Sequence, residues 1–113
     1  MNIHIIKKGD KYWDKTADFA NTCGWVAGPH LFKLMNENRF GKDERVIIAE
    51  ENGEIIGYCT FSYKDELPES FDYTPCTGFV FVVERFRGNR ISERMIEKSC
   101  EYARSLGYEN MYI

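Results

Sequence analysis

Apolar residues recur along this chain with two different spacings, and the changes of spacing predict eight secondary-structure elements. Short apolar runs rich in β-branched and aromatic residues predict strands, whereas apolar residues three and four positions apart predict helices. The predicted strands are 2–7, 44–51, 54–64, 79–83 and 108–113, and the predicted helices are 13–23, 28–41 and 91–106. Their order, β-α-α-β-β-β-α-β, indicates an α/β domain with a mixed sheet.

The centre of this pattern is the stretch from residue 77 to residue 96, where a strand, a turn and a helix start follow one another. The five consecutive apolar residues of Phe79–Val83 predict a strand that is covered on both faces. Helical spacing takes over after the turn. The predicted buried stripe of this helix consists of Ile91, Met95, Ile96, Ser99, Ala103 and Leu106.

The turn from Arg87 to Ser92 has the chemistry of an anion site. The first backbone N–H groups of a helix have no partner inside the helix, and the helix dipole adds positive potential there. Arg87 and Arg90 add two formal positive charges. These features predict that the turn binds a phosphate or pyrophosphate. The alternative is an ordinary strand-to-helix connection with a glycine turn.

This turn resembles the Gln/Arg-x-x-Gly-x-Gly/Ala motif of the GNAT acetyltransferase superfamily. Arg87 takes the first position, whereas Arg90 stands where glycine is usual and Ser92 stands where glycine or alanine is usual. Arg90 either obstructs the approach of a phosphate or supplies a charge-assisted hydrogen bond to it. The paired helices after the first strand, the Asn52-Gly53 hairpin and the Gly57-Tyr58 dipeptide extend the resemblance over essentially the whole chain.

The resemblance implies a single GNAT-like domain over residues 1–113, reaching the fifth strand of that fold. It implies acetyl-CoA as cosubstrate and direct transfer of the acetyl group to an amine of a small molecule or protein. In the family the pantetheine arm pairs with the strand before the turn, so a backbone N–H near Val82 is expected to polarise the thioester carbonyl. The residues expected to bind acetyl-CoA are Phe81, Val82, Val83, Arg87, Gly88, Asn89, Arg90, Ile91 and Ser92.

On the acceptor side, the resemblance implies contacts from the connection between the first two helices, which contains Trp25 and His30. His30 is a candidate general base because imidazole titrates near neutrality, and the alternative is a histidine in the first turn of a helix. Glu84 is the carboxylate nearest the expected cleft, and the alternative is a solvated turn residue. Further candidates for lining the substrate pocket are Tyr58, Tyr73 and Thr74.

Composition narrows the class of partner. The chain has 113 residues, which suffice for one domain, and a formal net charge of −3 without a basic run, which disfavours nucleic acid as a partner. The four cysteines form no CxxC pair, so we expect buried thiols in the reducing cytoplasm and no metal site. No stretch has the length and hydropathy that predict a membrane span or a signal peptide.

Two alternatives to an enzyme remain open from the sequence. One is a non-catalytic CoA-binding or interaction module, or a fragment of a longer acetyltransferase, since the sequence stops before the further helix and two strands usual in the family. The other is a small α/β interaction domain without a cofactor. The same stop leaves the last predicted strand at an open sheet edge, which predicts a homodimer contact through Tyr108–Ile113.

Overall fold

The computed structural model describes residues 1–37, 40–41, 43–63 and 75–108. The strands are β1 (Asn2–Ile6), β2 (Arg45–Glu51), β3 (Glu54–Tyr63) and β4 (Pro75–Val82), and the helices are α1 (Trp13–Thr22), α2 (Gly28–Asn36) and α3 (Ile91–Ser105), with a 3-10 turn at Glu84–Phe86. The predicted order of the first seven elements is confirmed. The eighth, the strand predicted at 108–113, lies outside the described residues except for Tyr108. No helix in the described ranges is long and apolar enough to cross a membrane.

The strands form one antiparallel sheet in the order β1-β2-β3-β4. The hairpin between β2 and β3 turns at Asn52-Gly53, whose φ angles are 51° and 85°. Two consecutive residues with positive φ match the right-handed twist of the flanking strands, and asparagine followed by glycine tolerates this conformation best. The hairpin predicted from these two residues is therefore confirmed.

The sheet carries helices on both faces, so its central strands bury side chains on both sides. Val46 and Ile48 of β2 belong to one apolar cluster, with Trp13 of α1 and Leu31 of α2. The alternate residues of β2 belong to the opposite cluster, with α3; they are Ile47 and Ala49. Because successive strand residues point to opposite faces, a continuous apolar run is what this position in the fold requires.

At Gly57, β3 lies closer to β4 and α3 than a side chain would allow. A Cβ atom added to Gly57 of β3 would lie 2.9 Å from the carbonyl oxygen of Phe81 and 3.3 Å from Cε of Met95. Glycine at this position therefore permits the close approach of β3 to the backbone of β4 and to Met95 of α3. The predicted stripe is confirmed for its buried members Ile91, Met95, Ser99 and Ala103. It is wrong for Leu106, which follows the last helical residue and is 36% exposed.

The cysteines are less uniformly buried than predicted. Cys59 is fully buried on β3, and burial raises the pKa of its thiol to about 12. Cys23 and Cys100 are partly exposed, and all three thiols are free. The expectation of buried thiols is therefore wrong for Cys23, which follows the last residue of α1, and for Cys100, which lies beside the buried stripe of α3.

A buried carboxylate joins β1 to the β2–β3 turn. Glu50 is 7% exposed, and its Oε2 accepts a 2.8 Å hydrogen bond from the backbone N–H of Gly53. Its Oε1 lies 3.2 Å from Nε2 of His4, and Asn2 and Tyr12 donate longer bonds of 3.4 Å to the same oxygen. The Gly53 N–H first, then His4 and Asn2, lower the pKa of Glu50 from 4.5 to about 2.

We expect the protein to lose stability in acid as Glu50 becomes protonated. Because its folded-state pKa of about 2 lies below the ordinary 4.5, the carboxylate stabilises the fold fully above pH 4.5 and progressively less as the pH falls toward 2. The difference in urea midpoint between the wild type and Glu50→Gln should therefore shrink across this window. Glu97→Gln, on the exposed face of α3, is the matched control. A difference between wild type and Glu50→Gln that stays constant down to about pH 3 contradicts this assignment.

Candidate active site

Strand β4 is interrupted by a bulge. Thr60 faces Gly78 and Tyr58 faces Phe81, so the two residues between Gly78 and Phe81 stand opposite one residue of β3. The first of the two, Phe79, has φ of 49°, a left-handed conformation that is costly for an aromatic residue. The prediction of a strand covered on both faces is wrong here, because residues 78–81 and 83 are only half-buried.

The backbone of Val82 points toward the open edge of the sheet. β4 is the outermost strand in the described part of the sheet. The N–H of Val83 donates to the carbonyl of Ile56 at 2.8 Å, and Val82 faces Gly57. Residues of an antiparallel ladder bond alternately toward and away from the partner strand, so the N–H and C=O of Val82 point away from β3. The C=O accepts a 2.9 Å hydrogen bond from Nε of Arg87, and the N–H faces the open side.

The turn between β4 and α3 contains two residues with left-handed backbone. Gly88 has φ of 89°, and Arg90, the residue that precedes α3, has φ of 59°. Asn89 donates a 3.0 Å hydrogen bond from Nδ2 to the carbonyl of Phe86, which closes the turn. No described side chain caps α3, and a Cβ at Gly88 would meet no described atom within 4 Å. The N–H groups at the start of α3 therefore border open space.

Two arginines flank this turn in different ways. The guanidinium of Arg87 is held by the Val82 carbonyl and lies 5.7 Å from the ring centre of Phe81. The side chain of Arg90 is 85% exposed, and its Nε lies 3.9 Å from a carboxylate oxygen of Glu93. Arg87 is thus a fixed part of the wall, whereas Arg90 extends into solvent and is free to approach an anion at the turn.

Two cavities meet at a wall formed by Trp25, Phe81 and Arg87. The edge cleft, of about 330 Å³, runs along β4 past Val80 and Val82 to Ser92 at the start of α3. The face cleft, of about 680 Å³, lies on the side of α1 and α2, between α1, the α1–α2 connection and the end of β4. The sequence-predicted residues Trp25, Phe81, Val82, Arg87 and Ser92 are therefore brought together, and Val83 and Glu84 line the face cleft beside them.

An aromatic stack forms the common wall. The rings of Trp25 and Phe81 are nearly parallel, with centres 5.7 Å apart. Tyr58 lies beneath them, fully buried, with its ring 5.5 Å from Phe81 and its hydroxyl 3.7 Å from Sγ of Cys23. Burial, and then the bond to Cys23, raise the pKa of Tyr58. Tyr58, predicted to line the substrate pocket, supports the wall from behind and does not form its surface.

The two candidate bases are placed differently. Glu84 lines the face cleft, and its carboxylate has no hydrogen bond or ion pair within the described part of the chain. His30 is exposed in the first turn of α2, and its ring stacks on Phe79 with centres 5.7 Å apart. His30 is not among the described residues that line either cleft. Tyr73 and Thr74 lie outside the described residues.

The sequence pattern did not reveal the contribution of α1 and of the β2–β3 turn to the face cleft. Lys15 and Phe19 of α1, together with Glu54 after the hairpin turn, line this cavity. Lys15 and Phe19 are four residues apart, which places both on one side of α1. This spacing could have predicted that they face the same cavity. Glu54 and Arg85 form an ion pair with a distance of 3.1 Å. The two residues are 31 positions apart in the sequence, so no local sequence pattern could predict that they meet.

With this geometry in place, comparison with known proteins identifies the family. The model of the acetyltransferase (GNAT) family matches residues 12–113. The chain belongs to the GNAT acetyltransferase family. No curated protein gives a significant match.

Solved structures show the same fold at low sequence identity. AAC(6')-Iy in complex with the bisubstrate analogue CoA-S-monomethyl-acetylneamine is 17% identical, with a TM-score of 0.74 over 97% of this chain and 76% of that one. Glucosamine-6-phosphate N-acetyltransferase from Arabidopsis thaliana is 19% identical, with a TM-score of 0.64 over 98% of this chain and 80% of that one. A predicted acetyltransferase from Clostridium acetobutylicum, with acetyl-CoA, is 16% identical, with a TM-score of 0.68 over 97% of this chain and 77% of that one.

Membership of the GNAT family decides among the three interpretations of the sequence. The chain is an acetyl-CoA-dependent N-acetyltransferase, which binds acetyl-CoA and an acceptor substrate. A non-catalytic binding module and a cofactor-free interaction domain are not favoured. The predicted GNAT fold and the predicted acetyl-CoA cosubstrate are both confirmed.

Proposed function

We propose that this GNAT enzyme holds acetyl-CoA along the edge cleft and receives the amine from the face cleft. The observation that carries the proposal is the continuity of two groups of backbone donors along one cavity. The uncapped start of α3 and the outward N–H of Val82 border the same cleft, and Arg87 connects them. One ligand that carries both a pyrophosphate and a thioester fits this arrangement.

The pyrophosphate is proposed to lie at the turn from Arg87 to Ser92. Backbone N–H groups from Gly88 onward donate to its oxygens, and the dipole of the 15-residue helix α3 favours the negative charge. Gly88 fits this role because the space a side chain would take is open. The exposed guanidinium of Arg90 adds a charge-assisted bond, so its departure from the family motif supplies a ligand for phosphate.

The thioester is proposed to lie beside Val82. The Val82 N–H donates to the carbonyl oxygen of the thioester and stabilises the negative charge that develops there during attack. The hydrogen bond from Arg87 to the Val82 carbonyl holds the backbone at the end of β4 and keeps this donor aligned. Phe81 and Trp25 exclude water from one side of the reacting carbon.

Glu84 is proposed as the general base. An amine reaches the enzyme as an ammonium ion, and Glu84 takes one of its protons, directly or through a water molecule. The neutral nitrogen attacks the acetyl carbonyl carbon and a C–N bond forms. The nitrogen then loses a second proton to solvent as the C–S bond breaks. CoA leaves as a thiolate that gains a proton from solvent, so the net products are the amide, free CoA and one released proton. The acceptor amine is part of a small molecule or a protein.

Binding of acetyl-CoA tests this placement. We expect saturation at about one hundred times Kd to add roughly 2.7 kcal/mol to the free energy of unfolding, measured as a thermal shift. Pantetheine, which lacks the pyrophosphate, should give a much smaller shift at equal concentration, because it cannot reach the start of α3. A flat titration of folded protein with millimolar acetyl-CoA contradicts the proposal, and equal shifts for the two ligands contradict the pyrophosphate site.

The oligomeric state, the exclusion of nucleic acid as a partner and the cellular location of the enzyme stay predictions. The homodimer contact predicted through Tyr108–Ile113 lies outside the described residues from position 109 onward. Sedimentation at high micromolar concentration tests it, since a strict monomer contradicts a stable dimer. Nucleic acid is not expected as a partner because of the chain's net charge of −3, and a cytoplasmic location is expected from the free thiols.

A further inference from the structure

The charged groups of the face cleft suit one ammonium group and no more. Among the described lining residues, Lys15, Arg85 and Arg87 are cationic, and Glu54 and Glu84 are carboxylates. Glu54 is paired with Arg85, and the ammonium of Lys15 donates to a backbone carbonyl of the β2–β3 turn. Glu84 is therefore the one carboxylate of this described lining that has no partner within it.

A second ammonium group on the same ligand would lie among cations. The described lining carries one net positive formal charge, and its only carboxylates are Glu84 and the Glu54 that is paired with Arg85. Like charges in a partly enclosed cleft oppose binding more strongly than they do in bulk water. Polyamines and other polycationic amines are consequently disfavoured by the lining itself.

The remaining wall is apolar and includes aromatic rings. Phe19, Trp25 and Phe81 supply these rings, and Ile55 and Val83 supply aliphatic surface. The ring centres of Phe19 and Phe81 lie 6.1 Å apart, and Trp25 stacks on Phe81 as well. Phe19, Trp25 and Phe81 are only half-buried in the protein alone, so a ligand that covers them gains burial of apolar area.

The volume of the face cleft is much larger than an amino group occupies. A cavity of about 680 Å³ lies within the range of small-molecule binding sites, roughly 300 to 1,000 Å³, whereas a methyl- or ethylammonium ion would leave most of it unfilled. A ring system joined to the amine by a short alkyl chain fills this space, places its ammonium at Glu84 and contacts the aromatic wall.

We infer that the acceptor is a monoamine carried on an apolar, aromatic body, and that polyamines are poor acceptors. This inference rests on the proposed entry of the amine through the face cleft. It is specific to the described residues of this chain, since the wall, the ion pair and the single available carboxylate are all properties of its own side chains.

The test is a panel of acceptors assayed with the full chain at saturating acetyl-CoA. Free CoA and the acetylated amine are both quantified by chromatography. We expect kcat/KM for 2-phenylethylamine and tryptamine to exceed that for ethylamine by about 30-fold or more, because a buried ring adds several methylene equivalents of transfer free energy. We expect kcat/KM for both aromatic monoamines to exceed that for spermidine by at least about 10-fold. A preference for spermidine overturns the inference.

Two substitutions separate the apolar wall from the charges. Phe19→Leu changes a residue that lines only the face cleft, and should lower kcat/KM for 2-phenylethylamine about fivefold with no effect on ethylamine. Arg85→Glu reverses the net charge of the described lining and should raise kcat/KM for spermidine about 10-fold. Arg104→Glu, an exposed charge reversal on α3 outside the described cleft linings, is the matched control and should leave the ratio between the two amines unchanged.

Failure of the inference and failure of the proposed function give different results. Absence of acetyl-CoA binding, measured by calorimetry, counts against the proposed function. Acetyl-CoA binding without acetylation of either aromatic monoamine overturns the inference about the acceptor. Equal effects of Phe19→Leu on 2-phenylethylamine and ethylamine also overturn it, because a merely structural role for Phe19 would affect every acceptor alike.

Discussion

Replacing Gly88 with valine is expected to weaken acetyl-CoA binding by about 100-fold or more while the protein stays folded. Gly88 has φ of 89°, and no described atom lies within 4 Å of the position a Cβ would take. The cost to the fold is therefore limited to backbone strain of about 1–2 kcal/mol. The cost to binding is expected to be larger, because the new side chain occupies the space through which the pyrophosphate is proposed to reach the N–H groups of α3. Calorimetry gives the affinity, and urea unfolding gives the stability.

Gly107→Val is the matched control for this experiment. Gly107 has φ of 95°, and a Cβ added there would likewise meet no described atom within 4 Å. It lies just beyond the opposite end of α3, so it carries the same kind of strain without bordering either described cleft. Both variants should lose similar stability, and Gly88→Val alone should lose affinity. Similar affinities in the two variants contradict a phosphate site at Gly88.

Glu84→Gln is expected to lower kcat by about 100-fold or more, within the range usual for loss of a general base. Glutamine keeps the size and polarity of the side chain and cannot accept the proton. Because the Glu84 carboxylate has no partner among the described residues and is exposed, neither folding nor acetyl-CoA affinity should change. Initial rates with 2-phenylethylamine, together with calorimetry of acetyl-CoA binding, separate the chemical step from binding.

Two control variants test whether the expected loss of kcat is specific to Glu84. Glu54→Gln removes the other carboxylate of the face cleft, which is already paired with Arg85, and should lower kcat less than about threefold. His30→Gln removes the other candidate base, whose ring stacks on Phe79 away from both described linings, and should also have a small effect. A loss in His30→Gln as large as that in Glu84→Gln would return the role of base to the histidine.

Local signals in the sequence predicted the parts of the fold that depend on local chemistry. The Asn52-Gly53 turn could be predicted because few residue pairs accept two positive φ angles in succession. The buried face of α3 could be predicted because the spacing of Ile91, Met95, Ser99 and Ala103 has the period of a helix. Each of these signals lies within a single element or turn.

The bulge in β4 could not be predicted in this way. Nothing in the apolar run of Phe79–Val83 indicates that its first residue adopts a left-handed conformation, which is unfavourable for phenylalanine in isolation. The conformation is imposed by pairing with β3, where Tyr58 faces Phe81 and Thr60 faces Gly78. Tertiary pairing overrides the preference of the residue, and the half-exposed edge follows from it.

The candidate site was predictable where backbone defines it and less so where side chains from distant elements meet. The turn from Arg87 to Ser92 was predicted from its glycine and its position before a helix, and its role as a phosphate site stays a prediction. The burial of Tyr58 and the position of His30 on Phe79 depend on how α1 and α2 pack on the sheet. Such packing is set by many residues at once, so these two assignments were open until the structure was known.

The wall that Trp25, Phe81 and Arg87 share between the two cavities has a thermodynamic consequence. A shift of this wall upon binding of one substrate alters the site of the other, and linkage requires the two affinities to change by the same factor in both directions. Arg87 also holds the backbone of Val82, so the N–H proposed to polarise the thioester responds to the same displacement. We therefore expect cooperativity between cosubstrate and acceptor to act by direct contact across one layer of side chains.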